Sequence, residues 1–230
     1  MSLFRALLAF PLLALLGASP TGFPRPDRPV ARIVAAEWSD EESRDNAREA
    51  EQVMVFLGLR PGMTIADIGA GSGYYTVRLA PRLMPTGRVI AEDIFPTTVN
   101  SLRRRVSKAG LTNVAVVLGR PDDPRLKPAS IDTALMVHMY HEVTQPFALL
   151  WHLRAALKPG GKVAIVDIDR PTVQHGTPRA LLACELAAVG YRRIGDLDLG
   201  AAGGYLAVFE PVGKRPRPSQ IRACRVRVGT

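Results

Sequence analysis

The segment DIGAGSG, residues 67–73, lies where a short apolar run of strand type, TIADIG, gives way to a helix-forming sequence. Its three alternating glycines let the backbone turn tightly and come close to a ligand. The N-terminus of the following helix offers free N–H groups and the positive end of a helix dipole, which can hold a carboxylate or a phosphate. The segment therefore predicts a ligand-binding loop between a strand and a helix.

The chain around this loop alternates between strand-type and helix-type segments. The strand patterns cover residues 64–69, 87–94, 113–119, 130–138 and 161–169. The helix patterns cover residues 39–57, 72–84, 97–110, 144–157 and 178–191. This alternation predicts right-handed crossovers and a doubly wound, mostly parallel α/β sheet with helices on both faces. Two last strand-type runs, at 191–199 and 204–212, predict an antiparallel hairpin at one edge.

The spacing of the glycines bears on the ligand. Dinucleotide-binding loops use Gly-x-Gly-x-x-Gly, whereas this loop has Gly-x-Gly-x-Gly with Asp67 two residues before the first glycine. A carboxylate there would repel a pyrophosphate but can accept hydrogen bonds from an ammonium group. The second strand ends in Glu92 and Asp93, and an acid at that position can bind both hydroxyls of a ribose. Taken singly, Asp67 is equally typical of a turn and Asp93 of a solvated strand end.

These features together resemble the class I S-adenosylmethionine-dependent methyltransferases, over about residues 40–210. The matching segments are DIGAGSG, VIAED, SIDTALMVH, LKPGGKVAIVD and the closing hairpin. The resemblance implies a Rossmann-like, seven-stranded sheet with a reversed last strand, and S-adenosyl-L-methionine as the cofactor. It also implies a methyl transfer, in which the acceptor attacks a methyl group on a sulfonium while the protein positions it and excludes water.

The resemblance also assigns residues to the cofactor. Asp67, Gly69, Gly71 and Gly73 would surround its methionine half, and Asp93, or Glu92 beside it, would bind its ribose. The adenine contact falls in LGRPDDPRL, on Arg120, Asp122 or Asp123, and Asp122 is the candidate we choose.

The segment VHMYHEV, residues 137–143, follows the fourth strand, whose end adjoins the glycine loop in this fold. His141 or Tyr140 could serve as the general base, with Glu142 orienting the imidazole, because histidine titrates near neutral pH. In a second interpretation His138 packs near the cofactor through its backbone, while His141 and Glu142 only satisfy loop hydrogen bonds.

A metal site is a third interpretation of the same segment. It would use His138, His141 and Glu142, joined by Asp167, Asp169 or His175 from beyond the fifth strand. A three-residue histidine spacing at a strand-to-helix junction specifies no metal geometry, so we predict no metal.

The acceptor is predicted only by class. Methylases of amino groups in DNA and in glutamine side chains carry Asn/Asp-Pro-Pro-Tyr/Phe after the fourth strand, and this chain does not. The remaining acceptors are a small molecule, a lipid or a protein side chain. The formal charge of +9 does not indicate nucleic acid, because residues 36–210 hold 20 basic and 20 acidic residues and the excess lies at the two ends. The basic tail also has no aromatic residue on which a base could stack.

The ends of the chain predict its organisation and location. Residues 1–22 contain an apolar run from Ala6 to Leu16 and then small residues, typical of a secretory signal or a membrane tether. A Pro-rich linker (23–38), the domain (39–211) and a mobile basic tail (212–230) would follow. We expect export to the periplasm or tethering to a membrane, with a cytoplasmic location as the alternative. Cys184 and Cys224 can pair in an oxidising compartment or simply pack. No oligomeric state is predicted.

Two other functions compete with methyl transfer. A NAD-dependent oxidoreductase is disfavoured by the glycine spacing. A non-catalytic exported binding protein with the same fold gains support from the signal-like segment, since S-adenosylmethionine is made in the cytosol.

Overall fold

The computed structural model describes residues 22–33 and 41–225. The signal-like segment up to residue 21, Ser39 of the predicted capping box, and Trp38 lie outside the described residues. Among the helices in the described ranges, none is long and apolar enough to cross a membrane.

A seven-stranded sheet forms the centre of the molecule. Its strands are β1 Thr64–Ile68, β2 Arg88–Asp93, β3 Val114–Leu118, β4 Ile131–Val137, β5 Leu157–Asp167, β6 Tyr191–Asp198 and β7 Tyr205–Pro211. Their order is β3-β2-β1-β4-β5-β7-β6, and β7 runs antiparallel to both β5 and β6. The other pairs are parallel. The predicted mostly parallel sheet with a reversed final strand and a C-terminal hairpin is therefore confirmed.

Helices cover both faces of this sheet. They are α1 Glu41–Asn46, α2 Glu49–Phe56, α3 Tyr74–Leu83, α4 Pro96–Lys108, α5 Pro146–Ala156 and α6 Arg179–Ala188. Successive strand residues point to opposite faces, so Ile65 belongs to a core with α2, α3 and α4, while Ala66 belongs to a core with α5 and α6. The strands are apolar on both faces because both faces are covered.

The single helix that we predicted over residues 39–57 is wrong, because the structure contains two. Arg48 separates α1 from α2 and has a left-handed backbone with φ 53°. Its guanidinium donates hydrogen bonds to both carboxylate oxygens of Glu51, at 2.8 Å each, next to this break in the helix. The break places Glu49 at the first turn of α2, where its side chain is buried.

The segment predicted to be a linker is instead ordered against the domain as far as residue 33, and we call residues 23–33 the strap. Arg28 is 4% exposed at its side chain and donates to the carboxylate of Glu185 at 2.9 Å. It also reaches the carbonyl oxygens of Tyr140 and His141, at 3.3 and 3.4 Å. The backbone N–H of Ala31 donates to the His141 carbonyl at 3.1 Å. The strap thereby covers the turn that follows β4.

The basic tail also differs from the mobile extension that we expected. Its described part, up to Arg225, packs against the face that α5 and α6 cover. The indole of Trp151 donates to the Pro216 carbonyl at 2.8 Å, and Ile221 is 2% exposed. Cys184 of α6 and Cys224 form a disulfide. One buried apolar side chain, Ile221, and one covalent link explain why the charge of this segment does not keep it in solvent.

Candidate active site

A cavity of about 530 Å³ opens at the carboxyl ends of β1, β2 and β4. The strand order reverses at this point, since β2 and β4 flank β1 on its two sides. Open parallel sheets bind their ligands at such a reversal. The volume is also in the usual range for a small-molecule pocket, about 300 to 1,000 Å³. This cavity is therefore the candidate ligand site.

The three glycines of the DIGAGSG loop have two different roles. Gly69 and Gly71 line the cavity with φ of 65° and 54°, a conformation that side chains other than glycine rarely adopt. Gly73 does not line it. A Cβ at Gly73 would approach Leu102 Cδ1 to 2.5 Å, so this glycine lets α3 pack closely on α4.

Three buried acids meet at the cavity: Asp67, Glu92 and Asp93. Asp93 accepts hydrogen bonds from the N–H of Gly71 at 3.1 Å and of Phe95 at 2.9 Å, which ties the end of β2 to the glycine loop. Glu92 accepts from the N–H of Gly69 at 3.4 Å through one oxygen. Its other oxygen, Oε1, is buried and has no hydrogen-bond partner among the described residues. A ligand hydroxyl would satisfy it.

Burial makes these acids harder to ionise. It raises the pKa of Asp67 to about 6, although Thr76 donates a 2.6 Å hydrogen bond to the carboxylate. Burial, together with the charges of Asp93 and Asp67, raises the pKa of Glu92 to about 8. A ligand with a positive charge or several hydroxyl groups would offset this effect of burial, because either favours the ionised carboxylates.

Comparison with known proteins shows similarity to methyltransferases over a region that includes the glycine loop. A family model described as a methyltransferase domain matches residues 65–161, which include the glycine loop and β4. The chain is 32% identical over 126 residues to the 2-phytyl-1,4-naphtoquinone methyltransferase of Nostoc sp. strain PCC 7120, covering 54% of this chain and 55% of that protein. The solved structure of a SAM-dependent methyltransferase of Aquifex aeolicus matches with a TM-score of 0.65 at 25% identity, over 74% of this chain and 97% of that one. The chain carries a class I S-adenosylmethionine-dependent methyltransferase domain.

A second relative, also named for quinones, matches more of the chain. The UbiE ubiquinone/menaquinone biosynthesis C-methyltransferase of Ectopseudomonas mendocina is 25% identical over 174 residues, 75% of this chain and 66% of that protein. The chain thus spans about half to two thirds of these quinone-methyltransferase relatives.

The methyltransferase domain brings most of the predicted cofactor residues to one pocket. Those that line it are Asp67, Gly69, Gly71, Glu92, Asp93 and His138. Gly73 and Asp122 do not line it. After the third strand, Arg120 and Pro121 line the pocket in place of Asp122. The difference at Asp122 arises in the loop after β3, where the N–H of Arg120 donates to the Asp123 carbonyl at 2.8 Å and closes a tight turn.

Only one of the three predicted catalytic residues lies at the pocket. Glu142 lines the pocket, whereas His141 and Tyr140 do not and are each 0% exposed. We predicted that Glu142 orients the His141 ring, but the structure assigns that contact to Asp167, whose two carboxylate oxygens lie 3.0 and 3.1 Å from Nδ1. The 3-10 turn Tyr140–Glu142 rotates the ring towards the end of β5 and away from the pocket.

Glu49 is a pocket-side residue that our reading of the sequence missed. Its Oε2 lies 3.1 Å from Nε2 of His138, which lines the pocket with a φ of 52°. Its Oε1 accepts from Arg44 at 2.6 Å and from the Tyr75 hydroxyl at 3.0 Å. Burial acts to raise the pKa of Glu49, but His138 and Arg44 outweigh it and lower that pKa to about 2.

A signal for Glu49 was present in the sequence. The acid lies one helical turn before Val53 and beside Ala50, on the apolar stripe of the predicted helix. An acid on the buried face of a helix needs a partner. The partner, His138, lies 89 residues further along the chain.

Proposed function

We propose that this protein binds S-adenosylmethionine in the 530 Å³ cavity and transfers its methyl group to a nucleophile of an apolar small molecule. The observation that carries the proposal is the convergence of the glycine loop and three buried acids on one pocket that apolar side chains complete. Those side chains are Ile33, Phe95, Met139, Val143 and Leu149.

The acids and the loop suit the cofactor. Asp67 can accept hydrogen bonds from its ammonium group, and the carboxylates of Glu92 and Asp93 can accept from ribose hydroxyls. The open space beside Gly71, where no atom of the described residues lies closer to an added Cβ than 4.0 Å, lets the ligand approach the backbone. When bound, S-adenosylmethionine supplies a methyl group activated by a sulfonium.

The apolar lining favours a hydrophobic acceptor. Met139, Val143 and Leu149 lie on the side of β4 and α5, and Ile33 comes from the strap. Both relatives are named for quinones, one as a 2-phytyl-1,4-naphtoquinone methyltransferase and the other as a ubiquinone/menaquinone biosynthesis C-methyltransferase. A substituted aromatic ring of the quinone type, with a carbon or oxygen nucleophile, is the acceptor class that we propose.

A proton released by the acceptor would go to His138. This residue lines the pocket, and a carboxylate oxygen of Glu49 lies 3.1 Å from Nε2 of its ring. His141 has no exposed surface through which an acceptor could reach it. His138→Asn is therefore expected to lower turnover with little change in cofactor affinity.

Calorimetric titration with S-adenosylmethionine and with NAD tests the cofactor. We expect Asp93→Ala to weaken S-adenosylmethionine binding by about 1 to 3 kcal/mol, the scale of lost charge-assisted hydrogen bonds. Asp122→Ala is the control, because that acid lies outside the pocket lining. Binding of NAD alone would contradict the proposal, and equal effects of the two substitutions would remove Asp93 from the ribose site.

Turnover tests the acceptor. The purified protein is incubated with S-adenosylmethionine labelled in its methyl group and with either a reduced naphthoquinone or a glutamine-containing peptide. Label should enter the naphthoquinol and not the peptide. Label in the peptide alone would contradict an apolar small-molecule acceptor.

We further propose that the protein works outside the reducing cytosol, exported or held at a membrane by its N-terminus. The apolar run from Ala6 to Leu16 and the pairing of Cys184 with Cys224 both support this. A fusion of residues 1–35 to a reporter that is active only outside the cytoplasm should be active. An inactive fusion would favour a cytoplasmic location.

A further inference from the structure

Two histidines and a glutamate converge next to the pocket in a way that methyl transfer itself does not require. His141, Glu142 and His175 each place one ligand atom so that all three atoms lie within 4.8 Å of one another. His141 and Glu142 come from the turn after β4, and His175 comes from the loop after β5. Within residues 22–33 and 41–225 no other group of three potential metal ligands meets in this way.

Asp167 supports His141 from behind. Its two carboxylate oxygens lie 3.0 and 3.1 Å from Nδ1 of the His141 ring, and in the tautomer with a proton on Nδ1 the lone pair is on Nε2. Asp167 itself accepts from the hydroxyl of Thr177 at 2.6 Å and from the N–H of Ile168 at 2.8 Å. A carboxylate that binds the far nitrogen of a metal-ligating histidine is a regular feature of zinc sites.

The loop that carries His175 is also held in place. Arg170 donates to the His175 carbonyl through Nε at 3.3 Å and Nη2 at 3.2 Å. The rings of His141 and His175 lie 5.5 Å apart, centre to centre, and nearly perpendicular, at 87°. The two imidazoles are thus brought together by contacts that do not depend on an ion.

We propose that His141, Glu142 and His175 bind a divalent transition-metal ion, with zinc the best match. Two imidazole nitrogens and one carboxylate oxygen are a known three-ligand zinc set that leaves the fourth position open. Zinc–ligand bonds of about 2.1 Å place tetrahedral donors about 3.4 Å apart, so atoms that lie within 4.8 Å of one another need to close by up to about 1.4 Å. Glu142 also lines the pocket. His141 and His175 do not line it, so metal binding does not rest on the proposed function.

The proposed site departs from our prediction of no metal, and it uses three of the ligands considered there, without His138. The structure pairs His138 with Glu49 at 3.1 Å, so the three-residue spacing of His138 and His141 is not used. His175, 34 positions after His141 in the sequence, takes its place.

Zinc titration of the full-length protein, stripped with a chelator and free of S-adenosylmethionine, tests the proposal. We expect one bound Zn²⁺ per chain, and a Co²⁺ complex with the visible absorption of a tetrahedral site. His175→Ala and Glu142→Gln should each weaken Zn²⁺ binding roughly tenfold or more, and Asp167→Asn by about 10- to 100-fold. Thermal melts of each variant would show that it is folded.

His152→Ala is the matched control. His152 is one of the four histidines of the chain, and it lies on α5, where it faces Asp123 and is outside this cluster. Its affinity for Zn²⁺ should equal that of the wild type. No Zn²⁺ binding by the wild type, or the same loss in His152→Ala as in His175→Ala, would overturn the proposal. Titration of His175→Ala and His152→Ala with S-adenosylmethionine separates this result from the proposed function, since neither residue lines the pocket and cofactor binding should survive in both.

Discussion

Asp67 illustrates what one residue contributes to this site. It is 3% exposed at the end of β1, and burial raises its pKa from 3.8 to about 6. The folded protein therefore binds an extra proton between about pH 4 and pH 6. The stability from that proton is present below pH 4 and is lost as the pH rises through 6. A cationic ligand has the opposite effect on the pKa of Asp67, because it favours the ionised carboxylate.

The affinity for S-adenosylmethionine should consequently fall as the pH falls through 6. Below that pH the ligand must displace the proton from Asp67, which weakens binding by up to about tenfold per pH unit. Calorimetric titrations between pH 5 and pH 8 measure the effect. Asp67→Asn should bind more weakly at pH 8 and lose the dependence near pH 6, while the part due to Glu92, whose pKa is about 8, remains. A wild-type affinity that is level from pH 5 to pH 8 would mean that Asp67 does not ionise against the ligand.

At the scale of the element, the strap and the two turns that follow β4 and β5 act as one unit. Arg28 binds Glu185 of α6, and the Tyr140 hydroxyl donates to the same carboxylate at 2.8 Å. The Thr172 hydroxyl of the second turn donates to the Pro29 carbonyl, also at 2.8 Å. The strap therefore holds both turns that carry the proposed metal ligands.

Arg28→Ala should lower the free energy of unfolding by about 3 to 5 kcal/mol. The substitution leaves the carboxylate of Glu185, 1% exposed, without its cation in the protein interior. Urea unfolding followed by circular dichroism measures it, with Arg32→Ala as the control because Arg32 is exposed in the same segment. Equal losses in the two variants would mean that the strap does not stabilise the fold through this ion pair.

At the scale of the whole molecule, the disulfide joins α6 to the C-terminal segment across 40 residues. It encloses both strands of the closing hairpin, β6 and β7. A cross-link of this span restricts the unfolded chain, and removal of a native one typically costs about 2 to 5 kcal/mol.

Cys184→Ser together with Cys224→Ser should therefore lower the free energy of unfolding by about 2 to 4 kcal/mol. Chemical denaturation with and without reductant measures it, and reductant should affect the wild type only. Neither cysteine lines the pocket, so the affinity for S-adenosylmethionine below the melting temperature should not change. A wild type that is equally stable with and without reductant would contradict the pairing.

Much of this architecture follows from local patterns. The alternation of strands and helices, the Gly-x-Gly-x-Gly loop and the paired acids at the end of β2 all rest on neighbours in the sequence. Helix and strand periodicity and glycine's freedom at positive φ act over a few residues, so they can be read without knowing the fold. The sheet order then follows, because few topologies accommodate right-handed crossovers.

Local patterns thus predict the α/β sheet, the family and the cofactor end of the pocket. The pairs Glu49 with His138 and His141 with Asp167, and the approach of His175 to Glu142, depend on how the distant segments pack. The members of each set lie 26 to 89 residues apart or on different loops. The break at Arg48 and the single turn at Tyr140–Glu142 set which way these side chains point. A backbone rotation of one residue redirects a side chain from pocket to core, and no local pattern specifies it.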